Sequence, residues 1–395
     1  MSRLAPQPAT SGLLQPVIAG LLAAFVGFAS SFTILLAAYA ALGADPAQAA
    51  SGLFAISLGV GLLTVLLSWR SRLPVTIAWS TPGAALLIAT GMPAGGFPVA
   101  GGAFLATALL LVVAGLVKPF SNAVSTIPKP LASAMLAGVL LQLCLAPMQA
   151  VGAMPALALP IILAWAVTLR FARLYAVPVA VLATAIVIGF AIDLPPDALQ
   201  GGWPLPALIV PEFSWQAMIG IALPLFIVTM ASQNVPGLAV MRANGYELAP
   251  GPIFVSTGIA SALIAPFGGH SVNLAAITAA LCAGPEAHPD PARRWIASLA
   301  FGVAFVLLAA SASVAAVFIA AAPPLLIQAA AGLALLSTLA NAASGALAEE
   351  KDRLPAILTF VTTASGLSLF GIGAAFWGLV AGGLLMAILR LQPLR

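Results

Sequence analysis

Long apolar runs broken by single charges or small charge clusters form the pattern of this chain. An ionised side chain at mid-bilayer is expensive, so the charges punctuate the runs. One helical span needs about 20 apolar residues. A first run, Leu13 to Leu42, lies between Arg3 and Asp45. The uncharged stretches Asp45 to Arg70 (24 residues), Arg173 to Asp193 (19) and Glu212 to Arg242 (29) fit one span each. Five longer gaps fit two: Arg72 to Lys118 (45), Lys129 to Arg170 (40), Glu247 to Glu286 (38), Arg294 to Glu349 (54) and Arg353 to Arg390 (36). The pattern predicts an all-α polytopic membrane protein with 14 transmembrane segments, the last pair being short.

Composition excludes a soluble fold. Hydrophobic residues make up 62% of the 395 positions and charged residues 6%, against a usual ~45–50% and ~25%. Cys144 and Cys282 both sit in apolar runs and read as small core residues. The sequence pI near 9.5 does not mark a nucleic-acid binder, because the basic residues are scattered singly or in pairs. The bilayer is the expected partner. No metal-ligand cluster, nucleotide-binding glycine pattern or catalytic triad spacing is present, so no cofactor and no enzymatic activity are expected.

With the N-terminus placed inside, all 14 Lys and Arg residues fall on one side, and the other receives only Asp45, Asp193, Asp197 and Glu212. The positive-inside rule makes the basic side cytoplasmic, with both termini there. The N-terminus leads into the first apolar run with no cleavage site of a signal peptide. The Pro-rich loop from Asp193 to Ser214 divides the spans seven and seven. An odd number per half inverts the second half, giving repeats over 1–196 and 197–395. Inverted repeats are a common secondary-transporter architecture.

Short, Gly/Pro-interrupted segments at matching positions of two halves point to a transport site. Span 3 carries one: Pro74-Val-Thr-Ile-Ala-Trp-Ser-Thr-Pro-Gly83 starts as a β-branched strand. Ser80 and Thr81 suit an N-cap and Pro82 a first helical position. A half-helix from Pro82 to Gly91 would span roughly 15 Å. Span 10 repeats the plan with Pro266-Phe-Gly-Gly-His-Ser-Val-Asn273, where Ser271 and Asn273 are expected to cap a helix from Leu274 to Ala283. Two converging N-termini can hold an anion without a buried Lys or Arg. Proline kinks and close-packing glycines are the plainer account of the same residues.

Other polar positions cluster in span 8, where Gln233 and Asn234 can hold a substrate group or tie helices together. Phe28, Ser30, Ser31, Phe32 and Thr33 in span 1, and Trp79 in span 3, can line a cavity for a flat ligand or simply pack. No Asp or Glu falls inside any span as drawn. His270 is the one histidine near the inferred site, open to a packing or a proton-coupling role. His288 and the run Glu349-Glu-Lys-Asp-Arg353 read as loop, and Gly378 and Gly382 as a tight helix contact.

Three segments carry a family resemblance: Phe120-Ser-Asn-Ala-Val-Ser-Thr-Ile-Pro-Lys-Pro-Leu-Ala-Ser-Ala-Met-Leu-Ala-Gly138, Gly268-Gly-His-Ser-Val-Asn-Leu-Ala-Ala-Ile-Thr278 and Cys282-Ala-Gly-Pro-Glu-Ala-His-Pro-Asp-Pro291. They resemble the bacterial benzoate transporter (BenE) family, related in fold to nucleobase permeases and sulfate/anion transporters. The resemblance implies benzoate–proton symport in the inner membrane and a moving core domain (about 1–117 plus 214–322). Its partner would be a gate domain (about 118–213 plus 323–395). Dimerisation through gate helices occurs among such relatives, so a homodimer is a further expectation. Nucleobase relatives bind with acidic residues on spans 8 and 10, whereas the comparable stretches here are neutral. A neutral site suits a substrate that brings its own charge, such as an aromatic carboxylate. The expected substrate residues are Phe32, Trp79, Thr81, Pro82, Gly83, Gln233, Asn234, Gly269, Ser271 and Asn273. Either His270 carries the proton or the substrate moves with its own. An inorganic-anion or nucleobase-like carrier is the alternative; an intramembrane enzyme or a receptor is disfavoured.

Overall fold

A backbone surrounded by lipid must satisfy its own N–H and C=O groups, which favours helices. The computed structural model describes residues 12–117, 128–191, 204–370 and 372–390. Of the charges used to draw the spans, Arg3, Lys118, Asp193, Asp197 and Arg395 lie outside them, as do residues 120–127 of the first family-like segment. The first run folds as α1 (Leu14–Ala29) and α2 (Phe32–Ala41), then come α3 (Pro46–Ser71), strand β1 (Ile77–Trp79), α4 (Thr81–Thr90) and α5 (Gly96–Leu116). Next are α6 (Lys129–Ala153), α7 (Pro155–Phe171) and α8 (Ala176–Ala191). Beyond residue 203 follow α9 (Trp215–Ala243), α10 (Pro250–Ile264), strand β2 (Val272–Leu274) and α11 (Ile277–Ala283). The chain closes with α12 (Trp295–Ala309), α13 (Ala312–Ala321), α14 (Pro324–Leu347), α15 (Arg353–Ala364) and α16 (Ala374–Arg390). Among the described residues, nine helical stretches are long and apolar enough to cross a membrane, and α4, α7 and α16 are shorter apolar helices.

Local signals explain the element ends. Asp45 and Gln48 exchange a capping box, Gln48 N–H donating to Asp45 Oδ1 at 2.8 Å, and Pro46 follows at the start of α3. The first run breaks at Ser30 and Ser31, whose hydroxyls both donate to Gly27 O. α9 contains two π-helical stretches, Met218–Ala222 and Met230–Asn234. Each runs up to a proline, Pro224 or Pro236, which lacks an N–H and crowds the carbonyl one turn back.

Glycines set the closest helix crossings. A Cβ on Gly61 of α3 would lie 2.6 Å from Gly302 O of α12, and one on Gly302 would lie 2.7 Å from Gly61 O. α5 and α10 meet the same way, a Cβ on Gly115 falling 2.6 Å from Gly251 O and one on Gly258 2.9 Å from Ala108 O. Gly378 and Gly382 lie against Thr363 and Thr359 of α15, the tight contact expected of them. Residues 204–213, grouped by sequence with the gate, instead reach α3, α5 and the end of α10: Ala207 N–H donates to Ser51 Oγ, Ile209 N–H to Pro266 O and Glu212 N–H to Pro98 O. The charged run at 349–353 is only partly solvated. Asp352 is buried and accepts both oxygens' bonds from Arg390 Nη2 at 3.0 and 3.1 Å, joining the start of α15 to the end of α16.

Candidate functional site

The two strands form an antiparallel ladder with Ile77 opposite Leu274, Ala78 opposite Asn273 and Trp79 opposite Val272. Side chains from flanking helices close its outer edges. Thr64 Oγ1 of α3 accepts from Ile77 N at 3.0 Å, Ser261 Oγ of α10 from Val272 N at 2.9 Å, and Asn234 Oδ1 of α9 from Leu274 N at 2.9 Å. No backbone donor at these positions is left bare in an apolar interior.

Because the strands are antiparallel, α4 and α11 leave opposite ends of the ladder. Ser80 caps α4 by accepting from Gly83 N at 3.2 Å, and Pro82 has no N–H to offer. Thr81 is therefore the residue of the first turn with a donor still open. The span 10 helix differs from expectation. It begins at Ile277 rather than Leu274 and has seven residues, with Ala276 as an N-cap that makes no side-chain bond. Ser271 and Asn273 are not caps. Ser271 O accepts from Ser80 N, Ala275 N donates to Thr76 O, and Asn273 lies within β2. Pairing with β1 holds residues 271–275 extended and delays the first helical turn.

Between the starts of α4 and α11 lies a cavity of about 90 Å³. Its polar lining comes from Ser30, Ser31, Thr81, Gln233 and Thr278, and its aromatic walls from Trp79, Phe301 and Phe305. Trp79 Nε1 donates to Ser31 Oγ at 3.0 Å, tying the span 1 break to β1. Trp79 and Phe305 meet edge to face at 5.4 Å, and Phe301 lies 4.6 Å from Phe305. Gln233 is half-buried, and among the described residues its side chain makes no hydrogen bond. Thr278 Oγ1 is buried with no partner. A buried hydroxyl without a partner is costly, and this one belongs to a residue of the cavity wall.

Of the residues the sequence singled out, Trp79, Thr81 and Gln233 line this cavity. Pro82 and Gly83 are buried behind it, a Cβ on Gly83 falling 2.6 Å from Leu225 Cδ1. Asn234, fully buried, spends its side chain on β2 and on Met230 Sδ. Phe32 lines a neighbouring chamber instead. Gly269, His270, Ser271 and Asn273 are buried away from the cavity. Gly269 packs on Ile264, and Asn273 Nδ2 donates to Leu274 O. His270 sits edge to face with Tyr39 and Phe104 at 6.4 and 6.1 Å. Its Nδ1 is 3.4 Å from Ser271 Oγ, which is 3.2 Å from Thr229 Oγ1, which donates to Ser80 Oγ at 3.0 Å. The histidine thus reaches the α4 cap only through two hydroxyls. Sequence reasoning missed Thr278, hidden by the misplaced helix start, and Phe301 and Phe305, whose i, i+4 spacing is the one signal that places them on a common helix face.

A family model described as benzoate membrane transport protein (BenE) matches residues 12–388. Inner membrane protein YdcO of Escherichia coli (strain K12) is 41% identical over 375 residues, covering 95% of this chain and 96% of its own. The benzoate membrane transport protein of Acinetobacter baylyi is 33% identical over 381 residues, covering 96% of each. Among solved structures, the transmembrane domain of a cyanobacterium bicarbonate transporter, BicA, matches with a TM-score of 0.62 at 18% identity, over 95% of this chain and 99% of that one. The murine Solute Carrier 26 family member A9 anion transporter in the inward-facing state matches at 0.62 and 12%, over 98% and 70%. At such identities these two show a shared fold and nothing more. The sequence matches do show the family, and the chain belongs to the benzoate membrane transport proteins (BenE): it is a multi-pass membrane transporter and not an enzyme.

Proposed function

We propose that the protein is a secondary active transporter that brings benzoate or a similar aromatic carboxylate, together with a proton, across the bacterial inner membrane. The observation that carries this reading is the cavity between α4 and α11, which joins hydroxyl and amide groups to aromatic walls. Hydroxyls and the helix start meet the carboxylate, and Trp79, Phe301 and Phe305 flank the edge of the ring next to it. No charged or titratable side chain is among the residues lining it. The substrate enters as the carboxylate, and the coupled proton is taken up on its bound carboxyl group during transport rather than on His270. The named relative from Acinetobacter baylyi supports the substrate class.

We count 14 crossings by taking the nine long helices with the short helices α4, α7 and α16, α11 with its strand, and α15. Both termini lie in the cytoplasm and the halves form an inverted repeat. The paired glycine crossings α3–α12 and α10–α5 support the repeat, as do Thr64 and Ser261 closing one strand edge each. Spans 1–4 and 8–11 move as a core against a gate of spans 5–7 and 12–14 in alternating access, in a chain that can pair as a homodimer.

Uptake of labelled benzoate into proteoliposomes under an imposed pH gradient, with sulfate, bicarbonate and uracil as competitors, tests the proposal. Gradient-stimulated uptake inhibited by unlabelled benzoate alone is expected; no stimulation would refute symport. A second reading, an inorganic-anion carrier, is favoured by the small cavity, well under the ~300–1,000 Å³ of ordinary ligand pockets. Competition by sulfate or bicarbonate but not benzoate would select it.

A further inference from the structure

A second chamber of about 370 Å³ lies beside the polar cavity. Phe28, Phe32 and Thr33 from the span 1 break form one wall, and Thr184 of α8, Ala315 of α13 and Ile327 of α14 are among the residues that face them. Its lining is almost wholly apolar. Thr184 spends its hydroxyl on Ala180 O. Thr33 does not: its Oγ1 is buried without a partner, in a residue only 3% exposed.

Phe28 separates the chamber from the site. Its ring stacks on Phe32 at 5.4 Å and meets Trp79 at 5.7 Å and Phe305 at 6.0 Å, both of which line the polar cavity. The polar cavity alone is too small for a ring and a carboxylate together, whereas 370 Å³ falls within the ~300–1,000 Å³ range of small-molecule pockets. We propose that this chamber is the ring-binding subsite of the transporter, and that the Phe28 ring is the partition that turns aside to join it to the carboxylate site. The ligand class is then a single-ring aromatic carboxylate, its carboxylate at Thr81, Gln233 and Thr278 and its ring in the chamber. Phe28 sets which rings enter.

This rests on the aromatic-carboxylate reading, so the test separates the two. In the full chain in lipid nanodiscs, Ala315→Cys places a thiol on the chamber wall, and its reaction with a small apolar maleimide is followed with and without benzoate. Saturating benzoate is expected to slow the reaction at least about fivefold. Benzoate that binds the unaltered chain by thermal shift yet leaves the labelling rate unchanged overturns the chamber and spares the carboxylate site. Benzoate that binds neither protein overturns both. A thiol shielded in lipid with or without benzoate, but free in detergent, assigns the chamber to an acyl chain and also overturns the proposal. Phe28→Ala gives an independent reading: affinity for 4-tert-butylbenzoate relative to benzoate is expected to rise about tenfold, and an unchanged ratio overturns the role of Phe28.

Discussion

The two strand-and-helix arms, β1–α4 and β2–α11, share a plan but spend their polar groups differently. In the first, Ser80 caps a ten-residue helix from within, and Thr229 reinforces that cap. In the second, the helix has seven residues, its start has no side-chain cap, and Thr278 is left unpaired. Its far end is held instead: Arg294, buried, donates to His288 O at 2.7 Å and Ala283 O at 2.9 Å. One arm is capped at the site by its own side chain, whereas the other has no cap there and is anchored behind. The lesson is that two arms of one plan can be fixed differently, one by a cap at its start and the other by an anchor at its end.

The comparison breaks most severely at the anchor. Arg294→Ala strands at least two buried carbonyls, each worth about 1–3 kcal/mol, and should give the largest fall in thermal unfolding temperature in detergent, with Arg294→Lys recovering part of it. Asn234→Leu leaves Leu274 N–H unpaired and should cost about 1–3 kcal/mol in the same assay. Ser80→Ala should cost about 0.5–2 kcal/mol, the loss of one cap. Thr278→Val should do the opposite of Ser80→Ala: stability within about 0.5 kcal/mol of the parent, yet benzoate affinity reduced about tenfold, read by isothermal titration. A matching loss of stability would return Thr278 to a packing role. The smallest effect is expected for His270→Gln, which should leave the ratio of uptake with and without a pH gradient unchanged; a ratio that falls to one would place the proton on the histidine.

Legibility followed the range of the forces involved. The α4 start was readable because Ser80, Thr81 and Pro82 act on their own neighbours. The α11 start was not, since Val272–Leu274 is held extended by a strand that comes nearly two hundred positions earlier. Gln233 and Asn234 are adjacent and chemically alike, yet the π-helical stretch ending at Asn234 turns one to the cavity and the other to β2. Phe301 and Phe305 disappear into a run that is apolar on every face. The helical, membrane-embedded character was plain, because charge is scarce and the apolar runs between charges are long.

The ladder also constrains how the protein is made. Ile77 and Leu274 are opposite one another, so β1 leaves the ribosome well before its partner exists. At roughly 5–20 residues per second, the delay is on the order of 10–40 s. Throughout it a short strand with unmet backbone groups must wait within or beside the bilayer, where each such group costs several kcal/mol. Truncations that end before residue 272 leave β1 without its partner and should be cleared by membrane proteases rather than accumulate.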